Sequence, residues 1–328
     1  MKIKEWGAFA LLGLIWGSSF LWIKIAVDES QEAVALYGQP FGSFMLVAFR
    51  LLFGLIGLLI IMRWQKQAFT RDRNILLAFL FMGIFNTAIP FLLITWGEKS
   101  IDSGLASILN GAVPLFTIVI AHFWLHDEKI TAPRIAGLIV GFIGIMVLVS
   151  RDFDLSGVLK SSVWGQVAVL LASISYAVAI TFSRKYLRGQ PPVLQSTMVL
   201  LIADSIIWIS TPIAALVAPN VESLILPTSS LRWFAVVWLG LLGSCVAYIL
   251  FFYLNNVWGP TRASLVTYVF PVIGLLLGIV FLNEVADWRL WIGSLLVVGG
   301  IGVVNMKLKQ KSALTSTAST DATRNRSA

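Results

Sequence analysis

Residues 74–96 read NILLAFLFMGIFNTAIPFLLITW, and residues 231–254 read LRWFAVVWLGLLGSCVAYILFFYL. Each is an apolar block of the length that carries a helix across the roughly 30 Å hydrocarbon layer of a bilayer, for which about 20 residues suffice. The two blocks also echo one another. A shift of 157 residues lays Gly83-Ile84-Phe85-Asn86-Thr87 on Gly240-Leu241-Leu242-Gly243-Ser244, and Trp96 on Tyr253. Further along, the same register places Ala106-Ser107 on Ala263-Ser264 and Pro114 on Pro271. After a slip of one residue it places Glu128 on Glu284, Gly137 on Gly293 and Gly144 on Gly300. Two unrelated apolar strings do not share Gly, Ala-Ser, Pro and Glu in one order, and a fixed period marks a duplicated architecture.

The rest of the chain has the same character. Of 328 residues 58% are hydrophobic and 12% charged, with a mean hydropathy of +0.87, where a soluble domain carries about 25% charge. Apolar blocks lie near 6–26, 41–62, 74–96, 103–125, 132–150, 163–187, 193–218, 231–254, 262–281 and 288–306, which predicts an all-α integral membrane protein of ten transmembrane helices. Most connectors are too short for anything but antiparallel neighbours. The first block, with Trp6, Trp16 and Trp22, is too long for the apolar stretch of a cleaved leader and reads as a retained span.

The net charge of +8 does not indicate nucleic acid, because the basic residues sit in connectors and tails. Of the 24 Lys and Arg residues, 17 fall on the side that holds both termini, 6 on the other, and Arg50 alone lies inside a span. Basic residues collect on the cytoplasmic side, so both ends of a multi-pass inner-membrane protein are expected there. The sole cysteine, Cys245, excludes an intrachain disulfide and a cysteine metal site.

The repeat divides the chain into residues 1–150, residues 151–306 and a tail, 307–328, that reads as disordered. Five spans per half is odd, so the halves are expected to enter the membrane from opposite sides. Such inverted repeats can exchange conformations, which gives alternating access to a site near the midplane between them. With no nucleotide-binding motif present, ATP would not drive transport directly.

At this point the chain resembles the drug/metabolite transporter superfamily, specifically its EamA-type ten-helix permeases, over roughly residues 6–306. The resemblance rests on Leu14-Ile15-Trp16-Gly17-Ser18-Ser19-Phe20, on Phe49-Arg50, on Ala106-Ser107, Pro114 and Glu128, and on Ala263-Ser264, Pro271 and Glu284. It implies two inverted five-helix bundles around a central cavity, and a secondary transporter that exports amino acids or related small metabolites. The sixth span departs from the pattern, reading Ser173-Ile174-Ser175-Tyr176 where a tryptophan or small residues are expected. Other cargo, such as nucleobases, sugars or cationic drugs, is the alternative.

Several residues have candidate roles. An intramembrane charge costs at least about 2.5 kcal/mol unless paired or hydrated. Arg50 would therefore either hold an anionic group such as a substrate carboxylate or be a structural arginine; the family resemblance implies arginine here across varied cargoes. Asp204 is the one acid well inside a span, and would carry a proton, pair with Arg50 or face the cytoplasmic vestibule. Asn86, Thr87, Pro90, Asn110 and Pro114, with Ser244, Tyr248, Thr267 and Pro271 in the second half, bring polar groups and proline-loosened backbone to midspan. They are expected to line the central cavity, unless they serve only helix packing. Trp16, Ser19, Tyr176 and Tyr268 join that set; with Trp96, the aromatic residues would form a pocket for an apolar or aromatic amino acid. Trp6, Trp64, Trp233, Trp258 and Trp288 read as an interfacial belt.

Glu128 and Glu284 would cap the next helix or close a gate. His122 and His126 have no further ligand cluster to make a metal site. No cofactor is expected, and no catalytic residues are evident: serine–histidine arrangements and paired acids are absent from the sequence pattern, against an intramembrane enzyme. The expected partners are a small-molecule substrate, the lipid bilayer and a coupling proton. Small-residue faces at Gly137, Gly141 and Gly144, and at Gly299, Gly300 and Gly302, would pack helices within one chain or form a homodimer.

Overall fold

The computed structural model describes residues 3–125, 130–150, 161–218, 222, 224–258 and 264–305, and among them it is helical throughout, with no strand. The first half runs α1 (Ile3–Val27), α2 (Gln31–Tyr37), α3 (Ser43–Trp64), α4 (Arg73–Met82), α5 (Ile89–Gly97), α6 (Ser103–Asn110), α7 (Val113–Trp124) and α8 (Ala132–Val149). The second runs α9 (Ser161–Tyr186), α10 (Pro192–Val217), α11 (Ser230–Trp238), α12 (Ala247–Trp258), α13 (Val269–Leu282) and α14 (Trp288–Asn305). Among the described residues seven helical rods are long and apolar enough to cross a membrane. The blocks expected at 132–150, 262–281 and 288–306 appear as shorter apolar helices over 134–149, 266–282 and 288–300. The short α2, which no apolar block announces, is started by Ser30, whose Oγ accepts the Ala33 N–H at 3.2 Å.

Three rods are interrupted at midspan, and proline explains two of the interruptions. Between α4 and α5, residues Gly83–Ala88 widen into a π-helix, with the Ile89 N–H reaching back to the Ile84 carbonyl. Pro90 has no N–H to offer, so the carbonyl five residues back, on Phe85, takes Ser175 Oγ of α9 at 2.7 Å instead. Between α6 and α7, Pro114 cannot close on the preceding turn, and Ser173 Oγ donates to the Leu109 carbonyl at 3.2 Å. The third break, Leu239–Val246, again π-helical, joins α11 to α12 without a proline. It falls on Gly83–Ala88 under the 157-residue shift and owes its form to close packing: a Cβ on Gly54 of α3 would stand 3.0 Å from the Gly240 carbonyl.

Water does not drive helices together inside lipid, so small residues that let backbones approach do much of the packing. Gly13 and Gly17 of α1 face Val269 and Ile273 of α13, Gly57 of α3 sits over Cys245, and Gly97 at the end of α5 lies on Gly165 of α9. The glycine faces of the fifth and tenth blocks meet each other within the chain. A Cβ on Gly144 of α8 would fall 2.8 Å from the Val297 nitrogen, and one on Gly300 of α14 would fall 2.6 Å from the Gly137 carbonyl, whereas Gly299 and Gly302 have nothing within 4 Å.

Arg232, one of the six basic residues on the second side, is not a solvated cation. It is fully buried at the start of α11 and donates to the carbonyls of Ala26, Asp28 and Ala33, tying the ends of α1 and α2 to the second half. The tryptophans read as an interfacial belt differ in exposure. Trp233 packs on Phe41 and Phe49, and Trp258 donates to Glu5 Oε2 at 2.8 Å, while Trp6, Trp64 and Trp288 are exposed.

Candidate functional site

The interrupted rods surround a cavity of about 90 Å³ at midspan. Of the residues the sequence suggested, Trp16, Ser19, Arg50, Asn86, Asn110, Tyr176, Tyr248 and Thr267 line it. Phe20, Phe91, Phe251 and Phe270 complete the wall together with aliphatic side chains. The wall is therefore mostly apolar and aromatic, with one cation and a few amides and hydroxyls.

Arg50 comes from the middle of α3 and is 4% exposed. Among the described residues its hydrogen bond goes from Nε to Ser244 Oγ at 3.2 Å, and its guanidinium lies 3.9 Å from the centre of the Phe91 ring. Ser244 in turn donates to the Leu239 carbonyl, five residues back, across the π-helical turn. No carboxylate is paired with Arg50 among the described residues. The guanidinium thus presents unspent donors to the cavity in an environment of low dielectric, where an anion would be held strongly.

Hydrogen bonds between the rods organise the rest of the wall. Tyr248 OH shares a hydrogen bond with Thr87 Oγ1 at 3.0 Å, accepts from Asn86 Nδ2 at 3.4 Å and lies 3.5 Å from the Asn86 carbonyl. Trp16 Nε1 donates to the Gly243 carbonyl at 3.0 Å, and its ring stands edge-on to Tyr248 and Phe270. Asn110 accepts from Ser173 Oγ at 3.4 Å.

The remaining candidates sit elsewhere. Thr87 and Ser244 stand one layer behind the wall, holding Tyr248 and Arg50. Pro90, Pro114 and Pro271 shape backbone without facing the cavity; Pro271 packs on Gly111, where an added Cβ would meet it at 2.9 Å. Tyr268 packs into the core beside the wall. Trp96 is on the outer surface, so it does not belong to the pocket. Asp204 is also apart. It is buried in α10 with Oδ1 unbonded, and makes no ion pair with Arg50, which overturns that pairing.

Glu284 caps, but not the helix that follows it. Its oxygens accept the N–H groups of Ser103 at 2.6 Å and Gly104 at 2.9 Å, at the start of α6, where a carboxylate meets both orphan donors and the positive end of the helix. Glu222 does the same for α3, accepting the Phe44 N–H at 3.3 Å, and burial pushes its carboxyl above the usual range. Glu128 and His126 lie outside the described residues.

The model of the EamA-like transporter family matches this sequence twice, over residues 5–150 and 163–306. The chain belongs to the EamA-like transporter family. This EamA-family protein is accordingly a multi-pass membrane transporter. It is 26% identical to an uncharacterized transporter of Archaeoglobus fulgidus over 93% of this chain and 100% of that one. It is 24% identical to the uncharacterized transporter YoaV of Bacillus subtilis, over 88% and 92%, and 27% identical to the uncharacterized inner membrane transporter YedA of Escherichia coli K12, over 92% and 90%. A crystal structure of a protein 19% identical shares the fold, with a TM-score of 0.62 over 93% of this chain and 98% of that one.

Proposed function

We propose that this EamA-family member is a secondary transporter that exports amino acids or related small metabolites by alternating access. In this reading the ten spans form two inverted five-helix repeats, residues 1–150 and 151–306. Both termini face the cytoplasm of a cell whose inner membrane holds the protein. The double match to the family and the two π-helical turns in one repeat register support the duplicated arrangement. The observation that carries the cargo class is Arg50, a buried cation with unspent donors in an aromatic-walled cavity. A carboxylate would take the guanidinium fork, an ammonium would find Asn86, Asn110 and the Tyr248 hydroxyl, and an apolar side chain would lie against Trp16, Phe251 and Phe270.

Counterflow in proteoliposomes with a panel of radiolabelled amino acids and their amides tests this. Carboxylate-bearing members are expected to exchange, the amides are not, and replacement of Asn110 by Trp should abolish the exchange by filling the cavity. Exchange of cationic drugs, sugars or nucleobases with no response to amino acids would reject the cargo class and favour the wider alternative. Asp204, placed away from the cavity, serves as the control position for proton coupling.

A further inference from the structure

Beyond the central cavity, at the membrane face where α1 ends, lies a second and more polar pocket lined by Lys24, Asp28, Lys99, Asp102 and Glu284. A thin partition separates the two. Ile23 and Ile94 face the central cavity, whereas Lys24 and Ile101 face the outer pocket. Lys24 Nζ closes the partition by donating to the carbonyls of Glu98 at 2.9 Å and Ile101 at 3.1 Å. Glu284 closes it from the other side through its bonds to Ser103 and Gly104.

Inside this partition, one helical turn past Ile94, stands Glu98. It is 0% exposed, and among the described residues neither carboxyl oxygen has a hydrogen-bond partner. We propose that Glu98 is the proton-binding site of this transporter, occupied when the partition is closed and emptied when it opens. The proposal rests on the transporter reading above and moves the proton from the expected Asp204 to a residue that lies between Ile94 of the central cavity and Ile101 of the outer pocket.

An ionised carboxylate without a partner in such a place costs several kcal/mol, so the closed form holds the neutral acid. Burial pushes the Glu98 carboxyl well above the usual range. Glu284 pushes the same way, and Lys24 and Arg50 oppose both. Those three are the charged groups that act on it from α1, α3 and the segment after α13. On the α9 side, Gly165 and Val169 pack against the preceding Gly97 and bring no charge. When the turn carrying Glu98 and Ile101 moves away from α1, Lys24 loses both carbonyls. The carboxyl O–H then breaks, the proton passes to water in the outer pocket, and the carboxylate left behind becomes available to the Lys24 ammonium.

The test uses the full-length protein in phosphatidylcholine–phosphatidylglycerol vesicles and reads buried carboxyls by pH-difference infrared spectroscopy. A protonated-carboxyl band that titrates well above the ordinary carboxylate range, shifts when glutamate is 13C-labelled and is lost in Glu98→Gln but not in Asp204→Asn is the expected result. No such band, a band that shifts with labelled aspartate, or one that persists in Glu98→Gln overturns the proposal. Because burial also raises the Glu222 carboxyl, the band must survive Glu222→Gln, and its loss there overturns the proposal even if Glu98→Gln does not fold. With a one-unit pH gradient, coupling of one proton permits about tenfold accumulation of an exchanging amino acid. That accumulation should vanish in Glu98→Gln, and its survival would likewise overturn the proposal. A titrating Glu98 band in a protein that moves no amino acid would instead reject the cargo class and leave the proton site standing.

Discussion

Arg50 is held by one serine, one aromatic ring and its own backbone, so most of its hydrogen-bonding capacity is available to a ligand. Lysine at this position keeps the charge but loses the fork and the flat stacking surface on Phe91. A charged hydrogen bond is worth about 1.5–3 kcal/mol, so Arg50→Lys should raise the half-saturating concentration of a carboxylate cargo roughly ten- to hundredfold. Scintillation proximity binding of the exchanging amino acid checks this. Ser244→Ala should give a smaller rise, since it only orients the guanidinium. Arg50 and Ser244 were each visible in the sequence as unusual residues at midspan. Their pairing across 194 positions, and the Phe91 ring beneath, were not, because such contacts depend on how helices from opposite halves cross. Glu98 was missed for a different reason. Next to Lys99 and at the end of an apolar block it looks like a solvated connector, and only the cover supplied by α1 and Glu284 buries it.

Among elements, two of the three interrupted rods were announced by their prolines, and the glycine seams by their spacing. The length of each break was not announced, because a π-helical turn depends on what stands ready to accept the released carbonyls. Pro90→Ala returns an N–H that competes with Ser175 for the Phe85 carbonyl. The two changes should therefore be non-additive, with a coupling of about 0.5–3 kcal/mol in a double-mutant cycle of Pro90→Ala and Ser175→Ala read by thermal unfolding. The α8–α14 seam gives a cleaner contrast. Gly144→Leu places a side chain where the Val297 nitrogen and Gly293 carbonyl now stand and should lower the melting temperature in detergent, whereas Gly302→Leu, at an open position, should leave it unchanged. Equal losses at both sites would mean that the exposed face is also buried, as in a dimer.

At the scale of the whole molecule the two compartments and their partition predict a dependence on pH. In the open form Glu98 would titrate in the ordinary carboxylate range, and in the closed form burial holds it well above that. Below the lower range both forms carry the proton and pH has no leverage. Between the two the closed form holds the extra proton, and each unit of rising pH costs it up to about 1.4 kcal/mol. Alkalinity should therefore favour opening. With Cys245 replaced by serine and Ile23 by cysteine, an impermeant thiol reagent added on the side of the outer pocket should react faster as pH rises, after division by its rate with free cysteine. The two-sidedness itself rests on the uneven distribution of basic residues, so a fluorescent protein fused after residue 328 should mature and fluoresce, while alkaline phosphatase at the same point should stay inactive. One feature of the packing supplies an observer that needs no engineering. Cys245 is the sole thiol of the chain, buried in a π-helical turn beneath Gly57 of α3. Any transport cycle that slides α3 along that turn must expose and cover it in rhythm. The alkylation of the native protein by a lipid-soluble maleimide, followed by mass spectrometry, would then keep time for the cycle, quickening with turnover and slowing when cargo or pH arrests it.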